Sequence, residues 1–492
     1  MRLRPLCVLF LATLLVMASL ATTLSAQTTT SGGLTGVVTD ASQAVVPDAG
    51  VELKDSAKGT TQSTKTDREG VFRFFFLAPE RYTLTVTHAG FRKESRLATV
   101  LLGPPVTVNV TLQLATERTT VNVTGEAPLI QSENGDVSTT INRQQIAELP
   151  NPGGDITYVA QIVPASIMNT DVSGLANFSI LGMPGTSNLF FLDGMSENDN
   201  GLNLNLAGSL NMLLGQNQIQ EATVVSTGYS GQFGGAAGAN INFITKSGSN
   251  QFHGNAQYYW NGRMLNANDW FNNARGQARP FDNANQWAGS FGGPIQKDKL
   301  FFFFDSEGAR LLLSQNFNVV IPSPQFEAAA IANIDSRFGA TSASDAFYKK
   351  IFSLYNGAPG AKFARLGGQD PIQDPTGCTG FTKLGPNVPC ADYFFTTRSQ
   401  PTSDTLTSGR VDWNASSNDR AFLRVQYDSG HNAVVVDPIN PVFDAFGHTS
   451  WWQGQLMETH TFGSSAASQL LTLIRPSDPV LHFCPLRNQR WC

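Results

Sequence analysis

From residue 250 onward the chain is written in segments of about ten residues in which apolar and polar side chains alternate, and this pattern constrains its fold more than any other feature. Phe252, Ala256, Tyr258 and Trp260 share one face of such a segment, while His253, Asn255 and Gln257 take the other. Ala421, Leu423, Val425 and Tyr427 alternate likewise with Arg424, Gln426 and Asp428. An alternation of period 2 belongs to a strand, and about ten residues is the length a tilted strand needs to cross hydrocarbon. Six such strands are predicted, over residues 251–260, 285–293, 299–308, 406–414, 420–428 and 451–462. The connections run long (261–284), short (294–298), very long (309–405), short (415–419) and long (429–450). Short turns on one side and long loops on the other are expected of an outer-membrane barrel, and a soluble β-sandwich does not predict them.

Outside residues 7–20 no stretch approaches 18 consecutive apolar residues, so a membrane can be crossed here only by strands. The N-terminus reads as an export signal over residues 1–26. Arg2 and Arg4 supply a basic start, residues 7–20 an apolar core, and Leu24-Ser25-Ala26 a small-residue cleavage site after Ala26. A membrane anchor is the alternative, against which stand the shortness of the apolar run and the lack of a basic cluster after it.

Charge is scarce. Asp, Glu, Lys and Arg make up 14% of the chain, against about 25% in ordinary globular proteins. With a net charge of −5 and no run of five basic residues, the composition excludes a nucleic-acid binder that relies on a basic face, and also charge-driven disorder and a coiled coil. Removing the leader leaves Cys378, Cys390, Cys484 and Cys492, without a C-x-x-C metal pair. Cys378 and Cys390 enclose eleven residues; they either close one loop as a disulfide in an oxidising compartment or remain two thiols. The six histidines form no His-Glu-x-x-His pair, the glycines of residues 231–238 lack the lysine of a phosphate-binding loop, and Gln232 breaks a Gly-x-Ser-x-Gly reading of residues 228–232. No catalytic residue, metal ligand set or cofactor is therefore predicted.

A break in composition marks the first domain. There is no Asn before residue 109, whereas residues 151–290 contain 21. Segments 33–39, 50–54, 70–76, 81–88 and 106–114 are short, rich in Val, Thr and Phe and separated by turn residues, which predicts a small antiparallel sandwich over residues 33–114. In the last segment Val106, Val108, Val110, Leu112 and Leu114 alternate with polar residues, so one face is expected to be buried. Residues 33–55 and 66–91 resemble the carboxypeptidase regulatory-like domain, a transthyretin-like β-sandwich. Asp67, Glu69 and Gly70 match its turn and Pro79 to Thr83 its return strand, with Glu80 in place of the usual glycine. That domain implies no peptidase activity.

Residues 118–248 carry the most diagnostic sequence. Residues 120–124 are read as an opening strand and 141–149 as a short helical run ended by Pro150, followed by Asn- and Gly-rich β sequence. Residues 180–200 (ILGMPGTSNLFFLDGMSENDN) and 219–260 resemble the plug of TonB-dependent outer-membrane receptors, in particular the Oar-like and SusC-like branch in which a carboxypeptidase regulatory-like domain precedes an α+β plug. Residues 291–308 resemble the first turn and third strand of the same receptors' barrel, and Leu181 stands where an arginine commonly precedes the glycine. Asp193-Gly194 is a turn dipeptide between two strands, with or without a further role. Thr120, Val121, Asn122 and Val123 resemble a TonB box; the competing reading is the first structural strand of the plug.

The resemblance implies a mainly β protein of a Gram-negative-type outer membrane: sandwich 33–114, plug 118–248 and barrel from residue 250. It implies uptake of an extracellular ligand such as an oligosaccharide, peptide or chelate, driven by a periplasmic TonB protein, with no nucleic acid as partner. A transporter of this kind has 22 strands, whereas alternation here is expected to stop after Thr472. Residues 473–492, with Pro476, Pro479 and Pro485, are read as an aberrant tail of an incomplete antiparallel transmembrane barrel that does not transport. The runner-up function is a cell-surface structural or adhesion protein.

Overall fold

The computed structural model describes residues 30–103, 105–115, 122–124, 137–149, 151, 154–168, 178–198, 203, 214–227, 237–274, 276–358, 360–366, 391–462, 466–474 and 482–484. The predicted leader (1–26), Thr120, Val121, Cys378 and Cys390 lie outside them.

The N-terminal unit is a two-sheet sandwich. Its strands are β1 (Gly32–Asp40), β2 (Gly50–Asp55), β3 (Thr61–Lys65), β4 (Val71–Leu77), β5 (Glu80–Thr87), β6 (Glu94–Val100), β7 (Val106–Thr107), β8 (Val110–Leu112) and β9 (Asn122–Thr124). One sheet runs β4-β1-β7 with β8 also on β1; the other runs β3-β2-β5-β6-β9. Leu34, Val38, Leu53, Phe72, Leu84, Val86, Val106, Val110 and Leu112 meet between them in one dry core. The Asp67 carboxylate accepts the backbone N–H of Glu69 and Val71, which closes the turn into β4.

Three expectations are corrected. The sheets hold two strands the sequence pattern did not mark, β3 and β6, because β3 (TQSTK) is a polar edge strand with no apolar period and β6 begins on Glu94 and Ser95. Residues 106–114 are not one antiparallel strand: β7 and β8 both pair parallel to β1. The ladder breaks between them because the Asn109 side chain, instead of its backbone, accepts the Val37 N–H at 3.0 Å. Val106, Val108, Val110 and Leu112 are buried as expected, but Leu114 is exposed, beyond the end of β8.

The middle region follows as β10 (Val137–Asn142), α1 (Arg143–Glu148), β11 (Ser166–Met168), β12 (Phe178–Ile180), β13 (Leu189–Leu192), β14 (Met195–Ser196), β15 (Ile219–Thr227) and β16 (Asn240–Thr245). Its main sheet has the order β10-β15-β16-β13-β14, with β13 parallel to β16. The helix begins two residues later than expected, because Asn142 closes a capping box with Gln145 and Ile141 still belongs to β10. Every residue of β16 is buried, as a central strand covered on both faces requires.

The last unit is one large antiparallel sheet: β17 (His253–Gly262), β18 (Asn283–Gln296), β19 (Leu300–Pro322), β20 (Arg365–Leu366), β21 (Ala391–Asn414), β22 (Asp419–Val435), β23 (Ala445–Phe462), β24 (Ala466–Ile474) and β25 (His482–Cys484). The path is β17-β18-β19-β21-β22-β23-β24, and among the described residues β17 and β24 do not pair, so the sheet is open. Its pleat is inside out relative to a soluble protein. On β22, Arg424, Gln426 and Asp428 are 2–3% exposed, while Leu423, Val425 and Tyr427 are 47–50% exposed. No described helix is long and apolar enough to cross a membrane.

Seven long strands replace the six expected, β24 running through Thr472 to Ile474 and β25 adding to β23 beyond it. The strands also outlast the membrane: β19 and β21 stay in register from Leu300↔Trp413 to Pro322↔Ala391. Only the stretch in hydrocarbon needs an apolar outer face, so a reading keyed to alternation stops where the paired strands enter water. Between them stand α2 (Trp270–Ala274), in the β17–β18 connection, and the pair α3 (Pro324–Phe338) and α4 (Ala343–Asn356), in the β19–β21 connection. α3 and α4 are capped by Ser323 and Ser342. The short connections, 297–299 and 415–418, lie at the sandwich end, where Arg420 donates to the carbonyl of Phe76.

Residues 33–114 own a complete core, and Leu84 sits at its centre. Produced alone, this segment is expected to give a β-type circular-dichroism spectrum, and Leu84→Ala should lower its unfolding free energy by about 2–5 kcal/mol in denaturant titration. A helical spectrum would show that the sandwich depends on the rest of the chain.

Candidate functional site

The inverted pleat puts charged side chains inside the barrel wall, where each needs a partner. The middle region supplies them. Leu192 and Met195 pair across a two-residue turn made of Asp193 (φ 48°) and Gly194 (φ 82°). Positive φ at both central positions is a type I′ turn, which Asp-Gly favours. At Gly194 an added Cβ would also press on the Thr30 side-chain methyl, which would have to shift.

The Asp193 carboxylate is buried and accepts from the Thr245 backbone N–H at 2.9 Å and from its hydroxyl at 2.8 Å. Two arginines of the wall close on it. Arg410 of β21 stands 3.3 Å from Oδ1, Arg424 of β22 3.2 Å from Oδ2. Arg424 is the largest fully buried side chain among the described residues, and it also donates to Gln426 and to Gln455. Arg410 makes a bidentate pair with Asp412 and lies over the Phe422 ring. Gln455 donates to the Asp193 carbonyl at 2.7 Å, and Gln453 to Glu197 at 2.8 Å, so β23 holds the same hairpin.

A second anchor uses Asn217, in the 3-10 turn Gln216–Gln218 before β15. Its backbone N–H donates to Glu307 at 2.6 Å and its amide to Asp305 at 2.6 Å, both on β19; Asn255 of β17 donates to its side-chain oxygen at 2.6 Å. Lys246 donates to the Asn217 carbonyl at 2.6 Å. Burial, with the Arg143 charge adding and those of Asp305 and Glu307 opposing, lowers the Lys246 ammonium to about 8. Beside this anchor lies a cavity of about 560 Å³, lined by Arg143, Lys246, Leu214, Gln257, Trp287 and Glu307 among others.

The sandwich touches the middle region through a third contact: the Leu102 N–H donates to the buried carboxylate of Glu221 on β15. Burial pushes Glu221 up to about 7, with the Leu102 N–H opposing and the charge of Glu80 adding.

Of the residues singled out in the sequence, Asp193 and Gly194 stand at this interface. Asn122 and Val123 are elsewhere, in β9, which pairs parallel to β6 on the edge of the sandwich. That placement is neither a free segment nor the first strand of the middle sheet. Sequence reading missed the roles of Arg410, Asp412 and Glu197. Their signal was present as charge on the inward face of a membrane strand, but a strand pattern does not say what lies opposite it.

Residues 244–472 match the family model described as outer membrane beta barrel domain, and residues 33–113 that of the carboxypeptidase regulatory-like domain. Over 255 residues the chain is 30% identical to the TonB-dependent transporter Oar of Myxococcus xanthus, covering 49% of this chain and 23% of that protein. Among solved structures, the outer membrane transporter YddB from Escherichia coli is similar with a TM-score of 0.40 and 13% identity, over 66% of this chain and 37% of that one. The siderophore receptor PirA from Acinetobacter baumannii gives 0.36 and 13%, over 69% and 43%. The chain thus spans less than a quarter of Oar and less than half of either neighbour.

Two predictions follow from the geometry. Arg424→Ala leaves Asp193 and Glu197 short of a buried partner and is expected to cost about 3–5 kcal/mol; limited proteolysis should cut the 189–197 hairpin in the variant and spare it in the parent. For Glu221, whose folded value of about 7 lies above the unfolded 4.5, the stabilising contribution is complete below pH 4.5 and lost as pH rises through 7. Denaturation should be easier at pH 8 than at pH 5, and Glu221→Gln should flatten that dependence.

Proposed function

We propose that this chain is a gated receptor of the TonB-dependent outer-membrane kind, in which residues 118–248 are the plug and the wall from residue 250 is the barrel that holds it. The observation that carries this reading is the contact of Asp193 with Arg410 and Arg424. An apolar interface would resist opening by the whole of its buried area, whereas ion pairs and amide hydrogen bonds can be exchanged for water as a plug moves. The same contacts fix a single seat while the plug is closed.

In this reading no side chain carries out covalent chemistry. The ligand, an oligosaccharide, peptide or chelate, meets the long-loop side, where the β19–β21 hairpin presents α3 and α4 with Phe338, Phe347 and Tyr348 exposed. A TonB protein draws on the periplasmic side, and β9, which includes Asn122 and Val123 and ends the β3-β2-β5-β6-β9 sheet, is the proposed edge for it, by the strand addition such partners use. The exposed aromatic residues on α3 and α4 also favour the second reading, adhesion through this hairpin without transport.

Transport requires a wall with no free edge, because unpaired N–H and C=O groups in hydrocarbon cost several kcal/mol each. The open edges of β17 and β24 therefore call for further strands. The 492-residue chain reconstituted alone in liposomes is expected to give neither heat-modifiable migration as a monomer nor ligand-gated uptake. Uptake should appear when the missing wall is supplied by co-assembled barrel strands. A folded, completed barrel that takes up nothing but still adheres to cells would replace the transport reading by the adhesive one.

A further inference from the structure

The buried charges that hold the Asp193–Gly194 hairpin, here called the latch, do not end at the barrel. Lys58, in the turn between β2 and β3 of the sandwich, reaches Asp412 at 3.7 Å. Six groups then follow one another with alternating sign: Lys58, Asp412, Arg410, Asp193, Arg424 and Glu197, at successive distances of 3.7, 2.9, 3.3, 3.2 and 3.9 Å. All six are buried or nearly so. Three positive and three negative charges sum to zero, and they come from three units: one from the sandwich, three from the wall and two from the middle region.

Lys58 is held in place and not trailing in solvent. The Asp55 carboxylate accepts the backbone N–H groups of Ala57 and Lys58 and so fixes the turn. Asn250, at the entrance to β17, donates to the carbonyls of Ala57 and Lys58, and its amide also reaches Asp298 in the short β18–β19 turn. The Lys58 ammonium lies 5.7 Å from the centre of the Phe301 ring. The sandwich is thereby docked on the short-turn rim with one ammonium pointed into the wall.

We propose that the sandwich sets the latch: Lys58 is a positioning residue that neutralises Asp412 and so leaves Arg410 shared between Asp412 and Asp193. When the sandwich undocks, the chain of charges carries a net −1. Asp412 then keeps Arg410 to itself, and of the two arginines only Arg424 still holds the Asp193–Gly194 hairpin, beside Thr245, Gln453 and Gln455. Release of the plug is thus conditional on the position of the N-terminal domain. This rests on residues 118–248 being a plug, but the test reads hairpin opening and not uptake, so failure of the transport reading would leave its result unaffected.

The test is hydrogen exchange of the full chain, co-assembled with barrel strands that complete its wall and held in detergent, followed at the amides of residues 189–197, with the β2–β5 and β22–β23 ladders as internal controls for folding. Lys58→Gln should speed exchange of the hairpin roughly tenfold or more, since it removes one partner of a buried charge, while both controls stay protected. Lys58→Arg, which keeps the charge, should behave as the parent. Lys58→Gln combined with Asp412→Asn restores a neutral chain and should return the hairpin toward the parental rate. An unchanged hairpin in Lys58→Gln would overturn the proposal. So would a double variant no slower than the single one, because a lost docking contact, unlike a lost charge balance, cannot be repaired by removing Asp412.

Discussion

Backbone amides in hydrocarbon have no water to bond, and this single constraint organises the molecule. It forces unbroken antiparallel pairing from β17 to β24, and pairing fixes the pleat. The pleat then sends alternate residues to lipid and to the lumen. Leu423, Val425 and Tyr427 face outward because the solvent there is apolar; Arg424, Gln426 and Asp428 face inward because nothing else may. Burial of arginine and aspartate is a consequence of this geometry, and it creates the need for an inner partner.

The inner partner answers with turns rather than with long elements. Asp193 reaches the wall because a type I′ turn turns its carboxylate toward Thr245, Arg410 and Arg424. Asn217 reaches Glu307 and Asp305 from a 3-10 turn. Neither anchor is a strong source of net stability, since removing charges from water offsets much of their attraction. Breaking one partner is costly all the same. A contact with little net worth and a high cost of mismatch specifies one seat while still permitting exchange with water.

The sandwich makes the arrangement a three-body one. Its core is independent, yet it meets the middle region at Glu221 and the wall at Asp412, both through buried polar groups. Joints of this kind respond to charge: Glu221 titrates near neutrality because burial raises it, and Asp412 is shared between cations of two domains.

Much of this was legible in the residues themselves. Alternation in 420–428 identified the lipid face and the lumen face, the valines and leucines of 106–112 identified a sandwich core, and Asp193-Gly194 identified a turn, because each is a short-range pattern set by strand period or by φ. What the sequence could not carry were choices between distant partners. Polar edge strands such as β3 leave no apolar period, the parallel pairing of β7 and β8 follows from where Asn109 meets Val37, and β19 and β21 run on in water where no outer apolar face is required. The partnership of Arg410 and Arg424 with Asp193 joins residues more than 200 positions apart. Their side chains announce a buried charge, and only the folding of the wall around the middle region decides which charge lies opposite.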